Sequence, residues 1–210
     1  MINANNIVTI LGEVEEYPSF SHEICGEKFY QTKVSVKRTS GVYDLIPVIF
    51  SDRLCNPNEL LVGSIVSITG RFSSHNRREE TGKNHMELFV FCNNITIEDV
   101  LLVNDECNKV NIHGFLCKPP IYRVTPLGRD ICDACIAVNR PYGKPNYIPC
   151  ICWGRNAKFV GNLPVGTELE LDGRIQSRIY QKQISETERI DKMAFEVSVK
   201  KITISGGNEE

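Results

Sequence analysis

The sequence predicts an all-β protein built as two tandem five-stranded Greek-key barrels that arose by internal duplication. Three observations carry this expectation. The chain repeats itself once, each copy alternates apolar and polar residues with a period of two, and no long amphipathic helical pattern interrupts them.

The repeat is read at an offset of 102, placing residues 107–204 on residues 5–98. Val34-Ser35-Val36-Lys37-Arg38 falls on Ile136-Ala137-Val138-Asn139-Arg140, and Gly41 falls on Gly143. Ile46-Pro47-Val48-Ile49 falls on Ile148-Pro149-Cys150-Ile151, and Arg53 on Arg155. One inserted residue brings Gly70-Arg71-Phe72 onto Gly173-Arg174-Ile175, and a longer insertion brings Ile95-Thr96-Ile97 onto Ile202-Thr203-Ile204. A repeat this long is a duplicated domain, because solenoid periods run only about 20–50 residues.

Each copy then reads as five strands. Val8, Ile10 and Gly12 open the first copy, and Val110, Ile112 and Gly114 open the second. The second strands are 33–37 and 135–139, the third 45–50 and 147–153. A helical turn is expected over 56–61 and 156–161, with Gly63 and Gly166 punctuating the entry to the fourth strands at 64–72 and 167–175. The fifth strands are 87–97 and 194–204, and residues 73–86 and 180–192 read as long polar connections where an extended hairpin would project. Five strands with a small helix between the third and fourth is the order of an OB-type barrel. The predicted domains are 1–103 and 107–204, joined by a linker at about 98–108 that ends in Asn104-Asp105-Glu106, with a short disordered tail at 205–210.

The chain has 210 residues, 41% hydrophobic and 24% charged, enough for two small globular domains. It has no apolar run long enough for a membrane helix and no basic-then-apolar leader. With nine cysteines and no leader, reduced thiols in a cytoplasm are expected. The net charge of −2 conceals two unlike halves. Residues 1–104 carry 9 Lys and Arg against 13 Asp and Glu, whereas residues 107–204 carry 15 against 9. A basic domain beside an acidic one points to a polyanion partner for the second.

The copies also differ in aromatics. The second has Tyr142, Tyr147, Trp153 and Tyr180, where the first has Ser40, Leu45, Ser51 and Arg77. An exposed ring stacks a nucleic-acid base for about 1–3 kcal/mol whatever the base. Arg140, Lys144, Arg155, Lys158, Arg174, Arg178 and Lys182 are interleaved as candidates to hold phosphates. Along residues 147–153, alternation sets Tyr147, Pro149, Ile151 and Trp153 on one side and Ile148, Cys150 and Cys152 on the other. The second set is apolar in both copies and is the expected core, which leaves Trp153 facing a ligand or a partner subunit.

These residues carry a family resemblance. Ala137-Val138-Asn139-Arg140-Pro141-Tyr142-Gly143-Lys144-Pro145-Asn146-Tyr147-Ile148-Pro149-Cys150-Ile151-Cys152-Trp153-Gly154-Arg155 resembles the bacterial single-stranded DNA-binding protein. So does the strand containing Gly173, Arg174, Arg178 and Tyr180, and the opening Asn108-Lys109-Val110-Asn111-Ile112-His113-Gly114 looks like the family's first strand. The resemblance implies base stacking at Tyr142, Tyr147, Trp153 and Tyr180, and phosphate contact at Arg140, Arg155, Arg174 and Arg178. The first copy shares only scaffold positions such as Gly12, Arg38, Gly41, Pro47, Gly70 and Arg71, so direct DNA contact is not expected there. It could instead complete an oligomer interface.

Family members are typically single-barrel tetramers, so a tandem chain reaches four barrels as a homodimer. They also end in a long tail with an acidic, hydrophobic tip, which Gly206-Gly207-Asn208-Glu209-Glu210 does not match. Cys132 and Cys135 have metal-ligand spacing, but positions three apart on a strand face opposite ways. No zinc, no other cofactor and no enzyme are expected, since the catalytic and phosphate-loop motifs are missing from the sequence. The expectation is sequence-nonspecific single-stranded DNA binding, mostly through the second barrel, in replication, recombination or repair. Single-stranded RNA is a possible further ligand, and no membrane partner is expected. The alternatives are a protein-interaction module of a replication or restart assembly, and a structural oligomerisation protein.

Overall fold

The structure is a computed structural model that describes residues 5–78, 84–101, 107–141, 143–183 and 189–205. The first copy runs β1 (Asn6–Val14), β2 (Ser19–Ile24), β3 (Glu27–Lys37), β4 (Tyr43–Ser51), β5 (Ile65–Arg78) and β6 (Asn84–Glu98). The second runs β7 (Asn108–Leu116), β8 (Ile121–Val124), β9 (Asp130–Val138), β10 (Asn146–Trp153), α1 (Arg155–Gly161), β11 (Glu168–Gln183) and β12 (Arg189–Ile204). The five strands expected of each copy are present, in the OB order.

Each copy carries a sixth strand that alternation did not show. β2 pairs β3, and β8 pairs β9, as antiparallel hairpins. β8 is exposed at every position and β2 nearly so, so neither has a buried face to impose a period of two. The helical turn forms only in the second copy, as α1, where Ala157 and Val160 are buried. At 56–61 the Asn56 side chain accepts the Asn58 N–H at 3.1 Å, and the segment closes as turns.

The expected polar connections are mostly strand. β5 and β6 stay paired from Ile65↔Glu98 to Arg78↔Asn84, and β11 and β12 from Leu169↔Ile204 to Gln183↔Arg189. Polar residues continue a hairpin once it leaves the barrel, because both of its faces then meet water. The linker's acidic end at 104–106 and the tail beyond 205 lie outside the described residues.

The barrels close by sharp bends at matching glycines. A register shift falls at Thr69/Gly70 and another at Asp172/Gly173. A Cβ on Gly70 would lie 2.2 Å from the Phe91 carbonyl oxygen, and one on Gly173 would lie 2.4 Å from that of Ser198. Only glycine allows the two backbones this close. Inside sit Ile10, Val34, Ile46, Phe50 and Phe72 in one copy, and Ile112, Ile136, Ile148, Leu171 and Ile175 in the other, all buried.

The two barrels share one sheet, because β1 pairs antiparallel with β7. Val8 lies opposite Val110. These are equivalent residues of the repeat, so a local twofold axis passes between them. Side chains follow the same symmetry. Asn6 brackets Phe72, giving its amide to the carbonyl at 2.8 Å and accepting the N–H at 2.9 Å, and Asn108 does the same to Ile175 at 2.8 and 2.9 Å. No helix among the described residues is long and apolar enough to cross a membrane.

Candidate nucleic-acid interface

The middle strand of the second barrel sets the interface. On β10 the side chains of Ile148, Cys150 and Cys152 are buried in the core. Tyr147 and Trp153 point the other way and are 37% and 40% exposed. Ile151, expected on the same open side, is only 6% exposed. β9 and β12 flank the strand at this point, through Asp133 and Ser198. The two rings are therefore available at the ends of β10, with Pro149 half-buried between them.

The cations fall into two groups. Lys144, Arg155 and Arg174 are exposed, and among the described residues none has a carboxylate partner. Arg155 begins α1 next to Trp153, and Arg174 leaves the barrel opposite Ser198. The other three are engaged within the chain. Lys158 reaches Asp130 at 3.1 Å, which raises the lysine pKa. Asp130 also accepts the Tyr122 phenol, and the Tyr122 and Lys158 bonds together hold its carboxyl below its ordinary pKa. Arg178 donates to Glu196 at 3.0 Å and lies 5.9 Å over the Tyr180 ring. Glu196 is buried and also accepts from Gln176 at 2.9 Å.

Arg140 is engaged most fully. It donates to the Ser74 carbonyl of the first barrel at 2.7 Å and to Oδ1 of Asn146. Burial, and then the neighbouring charge of Arg71, lower its pKa. Asn146 accepts the Ser74 N–H at 2.9 Å, and the Ser74 hydroxyl accepts the Tyr147 N–H at 2.8 Å. The first barrel's long hairpin therefore docks beside the Tyr147 ring, and that end of the interface is built by both barrels. Tyr180 and Arg178 lie on the hairpin that makes the mirrored contact with the first barrel, through Ser177 and Asp44. Trp153 and Arg155 thus form one cluster, and Tyr147 and Arg140 another at the junction. Tyr142 lies outside the described residues, and so does the side chain of Lys182.

One contributor went unread in the sequence. Beside Trp153 is a shallow recess lined by Gly128, Arg129, Asp130 and Gly154. The β8–β9 turn carries Arg129 there, with Gly128 at φ 73°. The run Thr125-Pro126-Leu127-Gly128 was the available turn signal. Cys132, Cys150 and Cys152 are buried thiols, and burial raises each of their pKa values, Cys152 to about 12. No group of three or more His, Cys, Asp or Glu among the described residues is placed to hold a metal ion.

Residues 107–204 match the model of the Single-strand binding protein family. The chain is similar to the single-stranded DNA-binding protein of Oceanobacillus iheyensis, 34% identical over 87 residues that cover 38% of this chain and 54% of that one. It is also similar to single-stranded DNA-binding protein A of Bacillus subtilis, 36% identical over 83 residues that cover 36% of this chain and 48% of that one. The chain thus spans about half the length of the curated relatives it matches. Among solved structures, it superposes on the wild-type single-stranded DNA binding protein from Thermus aquaticus with a TM-score of 0.74 at 19% identity, covering 95% of this chain and 92% of that one. A deletion variant of the same protein gives 0.73, covering 98% of both chains. These superpositions show the same fold across both barrels.

Proposed function

We propose that this chain, whose residues 107–204 belong to the single-strand binding protein family, binds single-stranded DNA without sequence preference, mainly through its second barrel. The observation that carries the reading is the outward pair Tyr147 and Trp153 on a strand whose alternate side chains are core. Bases stack on the two rings, and Lys144, Arg155 and Arg174 hold the phosphates between them. The basic balance of this half supports the same partner. Among the described residues the interface offers rings and cations and no group dedicated to a base edge or a 2′-hydroxyl, so single-stranded RNA is accepted as well. Residues 1–103 and 107–204 act as the two barrel domains, and two chains associate to bring four barrels together in replication, recombination or repair.

The test is a titration with oligo-dT, following the fluorescence of the single Trp153, at low and moderate salt. Quenching that weakens steeply with salt is the expected result, because displaced counterions drive the binding. Binding without quenching moves the strand off the Trp153 face. No binding at low salt overturns the reading and leaves an OB-type protein-interaction module in its place. Parallel titration with oligo-rU addresses RNA, and native mass addresses the four-barrel assembly.

A further inference from the structure

The two junctions between the barrels are alike in geometry and unlike in charge. At one, Ser177 gives its N–H and hydroxyl to Asp44 at 2.6 and 2.8 Å, and Arg38 donates to Asp44 and to the Ser177 carbonyl. At the other, Ser74 gives its N–H to Asn146, and Arg140 donates to Asn146 and to the Ser74 carbonyl. Asp44 and Asn146 are equivalent positions of the repeat, and both are buried. The first junction is neutralised by the Asp44 carboxylate, with Glu196 adding to it. The second has an amide in the carboxylate's place. There Arg140 of one barrel feels the charge of Arg71 of the other, and among the described residues no carboxylate pairs with either.

Arg71 leads onto a set of rings that the first barrel holds at positions of its own. It lies 4.9 Å over the Phe91 ring, and Phe91 is 5.7 Å from Phe29, which stacks on His22 at 4.7 Å. Alternation sets Phe89 and Phe91 outward, because Leu88, Val90 and Cys92 are core. In the second barrel the equivalent outward positions of the last strand are Glu196 and Ser198, since Arg71 faces Phe91 where Arg174 faces Ser198. Between Phe91 and Phe29 a cleft opens toward Arg53 and Leu54. At the positions of Tyr147 and Trp153 the first barrel has Leu45 and Ser51, its exposed middle-strand ring being Tyr43 at the strand's start, and it carries further outward rings on its last strand.

We infer that a single-stranded nucleic acid leaving Tyr147 crosses to the first barrel over the Arg71–Arg140 junction and continues along the half-buried Phe91 ring, which the buried Phe29 backs. A backbone phosphate between Arg71 and Arg140 removes their mutual repulsion. The exposed Arg71 guanidinium, 4.9 Å over the Phe91 ring, takes the next base. At the Asp44 junction Arg38 is already neutralised and has no free charge to offer a phosphate, so the strand uses one crossing and not its mirror image. The overall acidity of the first half does not oppose this path, because Glu27 on it is paired with Arg53 at 3.4 Å.

This inference rests on the proposed function, and one experiment separates the two. Full-length protein and the variants Arg71→Ala and Arg71→Glu are titrated with a dT oligomer of about 8 nucleotides, the scale of one barrel's site, and with one about four times longer. Arg71 is exposed, so neither change disturbs the core. Each variant is expected to leave short-oligomer affinity and Trp153 quenching unchanged while weakening the long oligomer by about fivefold near 0.1 M salt, the share of one single-strand phosphate contact. Equal weakening of both oligomers, or of neither, overturns the crossing. Failure of the unmutated chain to bind either oligomer overturns the proposed function itself.

Discussion

Arg38 holds Asp44 with two charge-assisted bonds, Nε to Oδ2 at 2.6 Å and Nη2 to Oδ1 at 2.5 Å, and the carboxylate is wholly buried between the barrels. The same carboxylate receives Ser177 from the other copy, so one ion pair locks the first barrel to the second barrel's hairpin. Removing the arginine alone leaves a buried charge without its partner. Arg38→Ala is expected to cost about 3–5 kcal/mol, read as a lower urea midpoint. Lys33→Ala, at the half-exposed Lys33–Glu16 pair, is expected to cost under about 1 kcal/mol.

Trp153 and Tyr147 are exposed, so truncating them leaves the core untouched. Trp153→Ala and Tyr147→Ala are each expected to weaken oligo-dT binding by about 1–3 kcal/mol, roughly 5- to 150-fold. The thermal midpoint should stay within about 1–2 °C of the unmutated chain. Fluorescence anisotropy of labelled DNA measures the first and calorimetry the second. A matching fall in thermal midpoint would mean that the rings serve packing instead.

The cations should separate by partner. Lys144→Ala, Arg155→Ala and Arg174→Ala each remove a charge with no carboxylate partner among the described residues, and each is expected to lower the slope of log affinity against log salt by about one. Lys158→Ala removes a charge already held by Asp130, so a smaller change in slope is expected. Affinities measured across a salt series distinguish the two groups.

Gly173→Ala places a methyl group 2.4 Å from the Ser198 carbonyl. The β11–β12 ladder must shift at its bend, with an expected cost of about 1–3 kcal/mol. Calorimetry should show a fall of about 2–10 °C. DNA affinity should drop along with stability, because Arg174 and the hairpin beyond it hang on that bend.

Thiol reactivity should follow burial. Cys25 is exposed, whereas Cys132, Cys150 and Cys152 are buried with raised pKa values. A thiol reagent at neutral pH is expected to label Cys25 first and to reach the buried three only on unfolding, since the thiolate is the reacting form. Mass spectrometry of the labelled peptides reads the order.

The duplication, the all-β class and the inward and outward sides of β10 at Ile148, Cys150, Tyr147 and Trp153 were legible in the residues alone. A half-buried strand writes its two faces into alternate positions, and a repeat makes equivalent residues comparable. β2 and β8 were not legible, because exposed hairpin strands have no buried face to pattern. The burial of Ile151 was not legible, because alternation assigns a side and not what covers it. The first barrel's rings escaped for a related reason. Aligned position by position, Leu45 and Ser51 show only a loss, while Phe89 and Phe91 stand outward on a different strand, away from the positions compared. The sequence by itself determined two barrels, their cores and the aromatic strand, since local periodicity and repetition suffice for those. Only the tertiary structure decided that Arg140 is held at a junction, that Asp44 and Asn146 give the two junctions unlike character, and that Arg71 stands beside Arg140. These depend on the pairing of β1 with β7, which brings residues nearly seventy or more positions apart into contact and which no local pattern encodes.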